Sequence, residues 1–150
     1  MNKGKGKEVV IVPRTFVLLD ELEKSEKGQY SPFCSVGIKN LDDMQLRYWN
    51  GFIIPSEDSI VRGQDIRFDI LCDMDYPDKP PTFKLVSSRN VLSIRRDDST
   101  KDHKLKSYFT SNGTLSNTIP ILKNWNRDKR MIDVLAYLKT AFETNSIPYA

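Results

Sequence analysis

Histidine and cysteine are almost missing from this sequence: His103 stands alone, and Cys34 and Cys72 are the two cysteines among 150 residues. Two cysteines do not form a disulfide framework, and with one histidine they do not supply a zinc set, so no metal or cofactor is expected. A reducing, intracellular compartment is the default expectation, in cytoplasm and nucleus. No apolar run approaches the roughly 18 residues that cross a bilayer. The basic N-terminus lacks the apolar stretch of a secretory signal, so Asn112-Gly113-Thr114 is read as an accidental glycosylation match. A strong excess of one charge is also missing: 23 basic against 20 acidic residues leave +3. The surplus matches the three lysines of the first seven residues, MNKGKGK. Neither nucleic acid nor a membrane surface is therefore an expected partner.

What is present is the composition of one globular domain, with 39% hydrophobic and 29% charged residues. Residues 1–12 read as a flexible basic tail, 13–145 as the domain and 146–150 as a short tail. A helix is expected over 14–26. Its marks are Pro13 before it, an apolar stripe of Phe16, Leu18, Leu19 and Leu22, i,i+4 pairs at Asp20/Lys24 and Glu23/Lys27, and Gly28 as the stop. Strands are expected over 34–39, 45–54, 66–72 and 83–86. Ile66, Phe68 and Ile70 alternate with Arg67 and Asp69, the pattern of a sheet with one face on a core. Residues 87–115 hold no convincing element and read as a long loop. Met131, Val134, Leu135, Leu138, Ala141 and Phe142 then form a helical stripe, with Asp128 as a plausible cap. The fold class is α+β: N-terminal helix, four-stranded antiparallel meander, long loop and C-terminal helix, with helices on one face of the sheet.

Tyr76-Pro77-Asp78-Lys79-Pro80-Pro81 reads locally as a rigid turn between strands. In its context it resembles the YPxxPP motif of the ubiquitin-conjugating (UBC-like) fold. Trp49 and Ile53-Ile54 lie on one strand before it, and Asn112-Gly113, Trp125 and the last apolar helix follow. The resemblance spans residues 13–145. Active members of that family carry a His-Pro-Asn triplet, where this chain has Leu92-Ser93-Ile94, and a nucleophilic cysteine, where it has Ser116. A thioester requires a thiol with appreciable thiolate at neutral pH, and a serine needs a neighbouring base. The asparagine that would steady the oxyanion is lost with the triplet. The resemblance therefore implies no catalytic residue. An oxyester formed on Ser116 is the opposing reading, and no such adduct is expected.

The string from Val12 to Lys24, VPRTFVLLDELEK, is similar to one subgroup. These are the ubiquitin-conjugating enzyme variants, which pair with an active conjugating enzyme and hold an acceptor ubiquitin for lysine-sixty-three-linked chains. The chain's end at Ala150 fits this subgroup, which lacks the two further helices of active members. By this resemblance Phe16 is the anchor entering a pocket of the partner enzyme, with Val12, Pro13, Arg14 and Thr15 around it. The alternative for Phe16 is the core stripe of its own helix, with partner contact favoured by its setting, and Arg14 reads equally as a solvated surface charge. By the same resemblance Ser35, Phe52 and Asp65 are expected on the acceptor-ubiquitin face. Asp65 replaces the isoleucine usual there, and Pro55-Ser56-Glu57 replaces a Gly-Pro-Pro turn; both departures bear on acceptor binding and linkage. Cys34 and Cys72 read as small buried hydrophobes. A stand-alone module binding ubiquitin or a peptide is the alternative function.

Overall fold

The computed structural model describes residues 12–30, 32–55, 65–86, 108–110 and 112–142. Helix α1, Arg14–Glu26, leads into strands β1 (Cys34–Ile38), β2 (Tyr48–Ile53), β3 (Ile66–Leu71) and β4 (Thr82–Leu85). The short helix α2, Pro120–Lys123, and helix α3, Met131–Phe142, complete the order. The strands form one antiparallel meander, β1-β2-β3-β4. Register sets Trp49 against Ile70 and Ile70 against Phe83. These side chains, with Cys34, Val36, Ile53, Ile66 and Phe68, are buried on one face. Helix α3 covers that face with Met131, Val134, Leu135, Leu138 and Ala141, all fully buried. The expected α+β arrangement is thus the one observed.

Helix α1 shows both expected ion pairs, Lys24–Asp20 and Lys27–Glu23, each at 3.0 Å. Its end follows from Gly28, which takes a φ of +68° while Gln29 N–H closes back on Lys24 O. The buried stripe differs from the one read in the sequence. Val17, Leu18 and Glu21 face the core, whereas Phe16 is 63% and Leu19 45% exposed. Ser25 Oγ accepts the Val36 N–H at 2.9 Å, tying the helix to β1.

The second strand is shorter than the expected 45–54. Asp43 Oδ2 accepts the N–H groups of both Arg47 and Tyr48, and Leu46 takes a φ of +56°, so this stretch is a turn. The expected 87–115 loop is structured at its end. Phe109 bridges Leu115, Lys84 bridges Thr114, and Tyr108, Phe109 and Leu115 are buried. Residues 87–107, with His103 and Leu92-Ser93-Ile94, lie outside the described residues.

Asp128 does not cap α3. Its own N–H bonds the Asn126 side chain, while Asp133 Oδ2 accepts the Arg130 N–H and Glu21 Oε1 accepts that of Met131. Trp125 Nε1 donates to Pro77 O at 2.8 Å, which fastens the proline-rich turn beside α2. Among the described residues no helix is long and apolar enough to cross a membrane.

Candidate functional site

Three regions carry the residues singled out by the sequence. At the first, Asn112 shapes the turn before Ser116: its Oδ1 accepts the Thr114 N–H at 3.1 Å and the Thr110 hydroxyl at 2.6 Å. Gly113, at a φ of +88°, completes this turn in a region that disfavours a side chain. Ser116 is half-buried, and its Oγ lies 2.7 Å from the Thr118 hydroxyl and accepts the Thr118 N–H. It lines a groove of about 320 Å³ with Pro80, Pro81, Thr82, Thr110, Thr114, Leu115, Asn117 and Leu122. None of these lining residues is a base at neutral pH. Among the described residues Ser116 therefore has a hydroxyl neighbour and no general base, which is poor equipment for an alkoxide nucleophile.

The second region is the start of α1. Pro13, Thr15, Phe16, Val12 and Leu19 are all exposed, so this face presents apolar side chains to solvent. Leu19 joins Phe16 one turn on, on the exposed face rather than in the expected core stripe. Arg14 is not a solvated charge. Its guanidinium donates to four backbone carbonyls: Asp73 at 2.9 Å, Gln45 at 2.6 Å, Cys72 at 2.7 Å and Leu46 at 3.4 Å.

The third region is the outer face of the sheet. Ser35 lies opposite Phe52, and Phe52 opposite Arg67, whose guanidinium sits 5.8 Å from the Phe52 ring centre. One row along, Asp69 pairs with Lys39 at 3.0 Å and lies opposite Lys84. Asp65 is exposed at the residue preceding β3. The structure thus brings Ser35 and Phe52 side by side, with Asp65 on the approach to the strand that carries Arg67.

Sequence reasoning missed Glu21, which looks like one more charge on a helix. It is fully buried: Tyr76 Oη–H donates to Oε2 at 2.6 Å and Met131 N–H to Oε1 at 3.0 Å. Burial pushes its carboxyl from the ordinary 4.5 up to about 7, against the pull of those two donors and of Arg130; Asp133 adds to the rise. Cys34 and Cys72 are both buried. Burial pushes the Cys72 thiol well up, aided by Glu21 and opposed by Arg14, so it is not a thiolate nucleophile. Among the described residues no group of three or more His, Cys, Asp or Glu side chains is placed to hold a metal.

Comparison with known proteins agrees with these observations. No family profile matches the chain. Ubiquitin-conjugating enzyme E2 variant 1D of Arabidopsis thaliana is 34% identical over 145 residues, 97% of this chain and 90% of that protein. Ubiquitin-conjugating enzyme spm2 of Schizosaccharomyces pombe is 35% identical, covering 90% of this chain and 88% of spm2. The variant MMS2 of Saccharomyces cerevisiae is 30% identical, covering 89% and 87%. Among solved structures, human ubiquitin-conjugating enzyme E2 G1 superposes with a TM-score of 0.60 at 23% identity, over 85% of this chain and 96% of that one. The ubiquitin-conjugating domain of a Toxoplasma gondii enzyme gives a TM-score of 0.63 at 22% identity, over 85% and 73%. The structures establish the ubiquitin-conjugating fold, and the sequences, close over nearly the whole length, establish that this chain belongs to the ubiquitin-conjugating enzyme variants.

Proposed function

We propose that the chain is a non-catalytic subunit of a ubiquitin-conjugating heterodimer, acting in cytoplasm and nucleus. It binds an active ubiquitin-conjugating enzyme through Val12, Pro13, Arg14, Thr15 and Phe16. It holds the acceptor ubiquitin on the sheet's outer face, by Ser35, Phe52 and Asp65, for lysine-sixty-three-linked chain synthesis. The observation that carries this reading is Phe16: an aromatic side chain 63% exposed on a helix whose other face is core. An aromatic left in solvent beside exposed Val12 and Leu19 is the form of a binding anchor that becomes buried in a pocket of a partner.

The chemistry asked of the chain is positioning. The partner supplies the thioester, and this chain holds the attacking lysine near it. That arrangement turns a chance encounter into a near-intramolecular step. Ser116, with a threonine hydroxyl as its neighbour, has no part in bond making. Phe52 under Arg67 offers ubiquitin an apolar ring edged by a cation, and Asp65 adds an anion beside it.

The test is reconstitution with activating enzyme, ATP, ubiquitin and a chain-building conjugating enzyme. Adding this chain should raise free-chain output and direct it to lysine-sixty-three linkage. Output and linkage that do not change on addition refute the function.

A further inference from the structure

Arg14 stands at the wrong end of its helix. The positive pole of the helix dipole lies at the N-terminus, where acidic residues and a capping side chain are favoured. Helix α1 has neither: its N-cap is Pro13, no side chain caps it, and no acidic residue lies in its first turn. A start of this kind frays, because its first N–H groups have no side-chain acceptor. Phe16 sits within that first turn.

Two arginines brace this start instead, by donating to carbonyls around it rather than by accepting its N–H groups. Arg14 reaches across to the carbonyls of Gln45, Cys72 and Asp73 at 2.6–2.9 Å, joining the helix to the turns before β2 and after β3. From the other side of the sequence, Arg127 Nη2 donates to Val12 O at 2.7 Å, and its Nη1 meets Asp78 at 2.9 Å. Bonds from a guanidinium to carbonyls are charge-assisted and directional, so together they fix the backbone on both sides of Pro13. The Asp78 ion pair alone would do little, since that carboxylate is largely exposed.

We infer that Arg14 and Arg127 are positioning residues, holding the uncapped first turn of α1 so that Phe16 meets a conjugating-enzyme partner already in its bound conformation. This rests on the partner reading above. An anchor held ready before encounter loses less conformational freedom on binding, and the saving appears as affinity. Arg127 is the sharper probe, because it lies 115 residues from Val12 and outside the contact string.

The experiment is a double-mutant cycle on affinity for the purified conjugating enzyme, by calorimetry, using wild type, Arg127→Gln, Phe16→Ala and the double variant. Arg127→Gln should weaken binding about fivefold to tenfold alone and less than about twofold in the Phe16→Ala background, since the bond to Val12 O is lost together with the exposed Asp78 pair and acts through Phe16. Amide exchange at Val17, whose N–H bonds Pro13 O at 3.1 Å, should quicken in Arg127→Gln by more than the variant's fall in global stability to urea accounts for. Arg14→Lys, which keeps the charge without the fork, should behave as Arg127→Gln does. Full additivity would mean that Arg127 touches the partner itself, and would overturn the inference. So would unchanged affinity in Arg127→Gln while Phe16→Ala weakens binding. Phe16→Ala without effect would instead overturn the partner reading, and the inference with it.

Discussion

Replacing Glu21 by glutamine should abolish one component of the protein's pH-dependent stability. The carboxyl is fully buried and pushed from 4.5 in the open chain to about 7 in the fold, chiefly by loss of water. Between those values the native state keeps the proton and the unfolded chain has lost it. The folded pKa is raised, so this stabilising contribution is complete below 4.5 and disappears as pH rises through about 7. A separation of about 2.5 pH units, at 1.36 kcal/mol each, corresponds to about 3 kcal/mol. The groups around Glu21 do not share this titration. Burial and the Glu21 charge keep the Tyr76 phenol and the Cys72 thiol protonated, and burial pushes Tyr30 up to about 12. Arg130 lowers the Glu21 value and Asp133 raises it.

Urea unfolding followed by circular dichroism at pH 5 to 8.5 gives the measurement. The difference between wild type and Glu21→Gln removes the exposed carboxylates common to both. It should change with pH, the wild type losing on the order of 2–3 kcal/mol relative to the variant between pH 5 and pH 8. The absolute offset between the curves is less informative. Glutamine removes the buried charge but leaves Tyr76 or one amide hydrogen without a partner, a cost of about 1–3 kcal/mol. Two curves parallel across the range would refute the assignment of this titration to Glu21.

Two further outcomes are expected. A methyl group added by Gly51→Ala would lie 2.7 Å from Ile70 Cδ1 and 3.4 Å from Leu135, so the variant should lose about 1–3 kcal/mol in urea unfolding through overpacking. Iodoacetamide at pH 8 should leave Cys34 and Cys72 unmodified in the native protein and alkylate both in urea; native-state labelling of Cys72 would contradict its burial.

Local pattern reached the elements whose causes are local. The bounds of α1 follow from ion pairs four residues apart and from Gly28, and both are where the spacing put them. The four-strand order followed from alternation at Ile66, Phe68 and Ile70 with turns between strands. The turn before Ser116 was legible because Asn-Gly makes its own geometry. What escaped was decided at a distance. Glu21 meets Tyr76 55 residues on and Met131 110 residues on, so nothing around it in sequence marks it as core. Arg14 finds acceptors 31 to 59 residues away. Helix α2, four residues opening on Pro120, is too short to show a period, and Ile119 and Leu122 fix it by burial. Phe16 fits either a core stripe or an anchor in the sequence, and in the fold its ring lies outside the core, 63% exposed, because the buried face of α1 is set by Val17, Leu18 and Glu21.

The hydroxyl of Ser25 has a consequence for association. β1 is an edge strand of the sheet, and an open edge is a template on which another extended chain can add itself. At Val36 the edge amide is already spent on Ser25 Oγ, and α1 lies against the strand. Strand addition at β1, whether by a second copy in aggregation or by an extended peptide, must first displace the helix that carries Phe16. Substituting Ser25 would free the Val36 amide while α1 still lies against the strand, so the helix remains the barrier to strand addition.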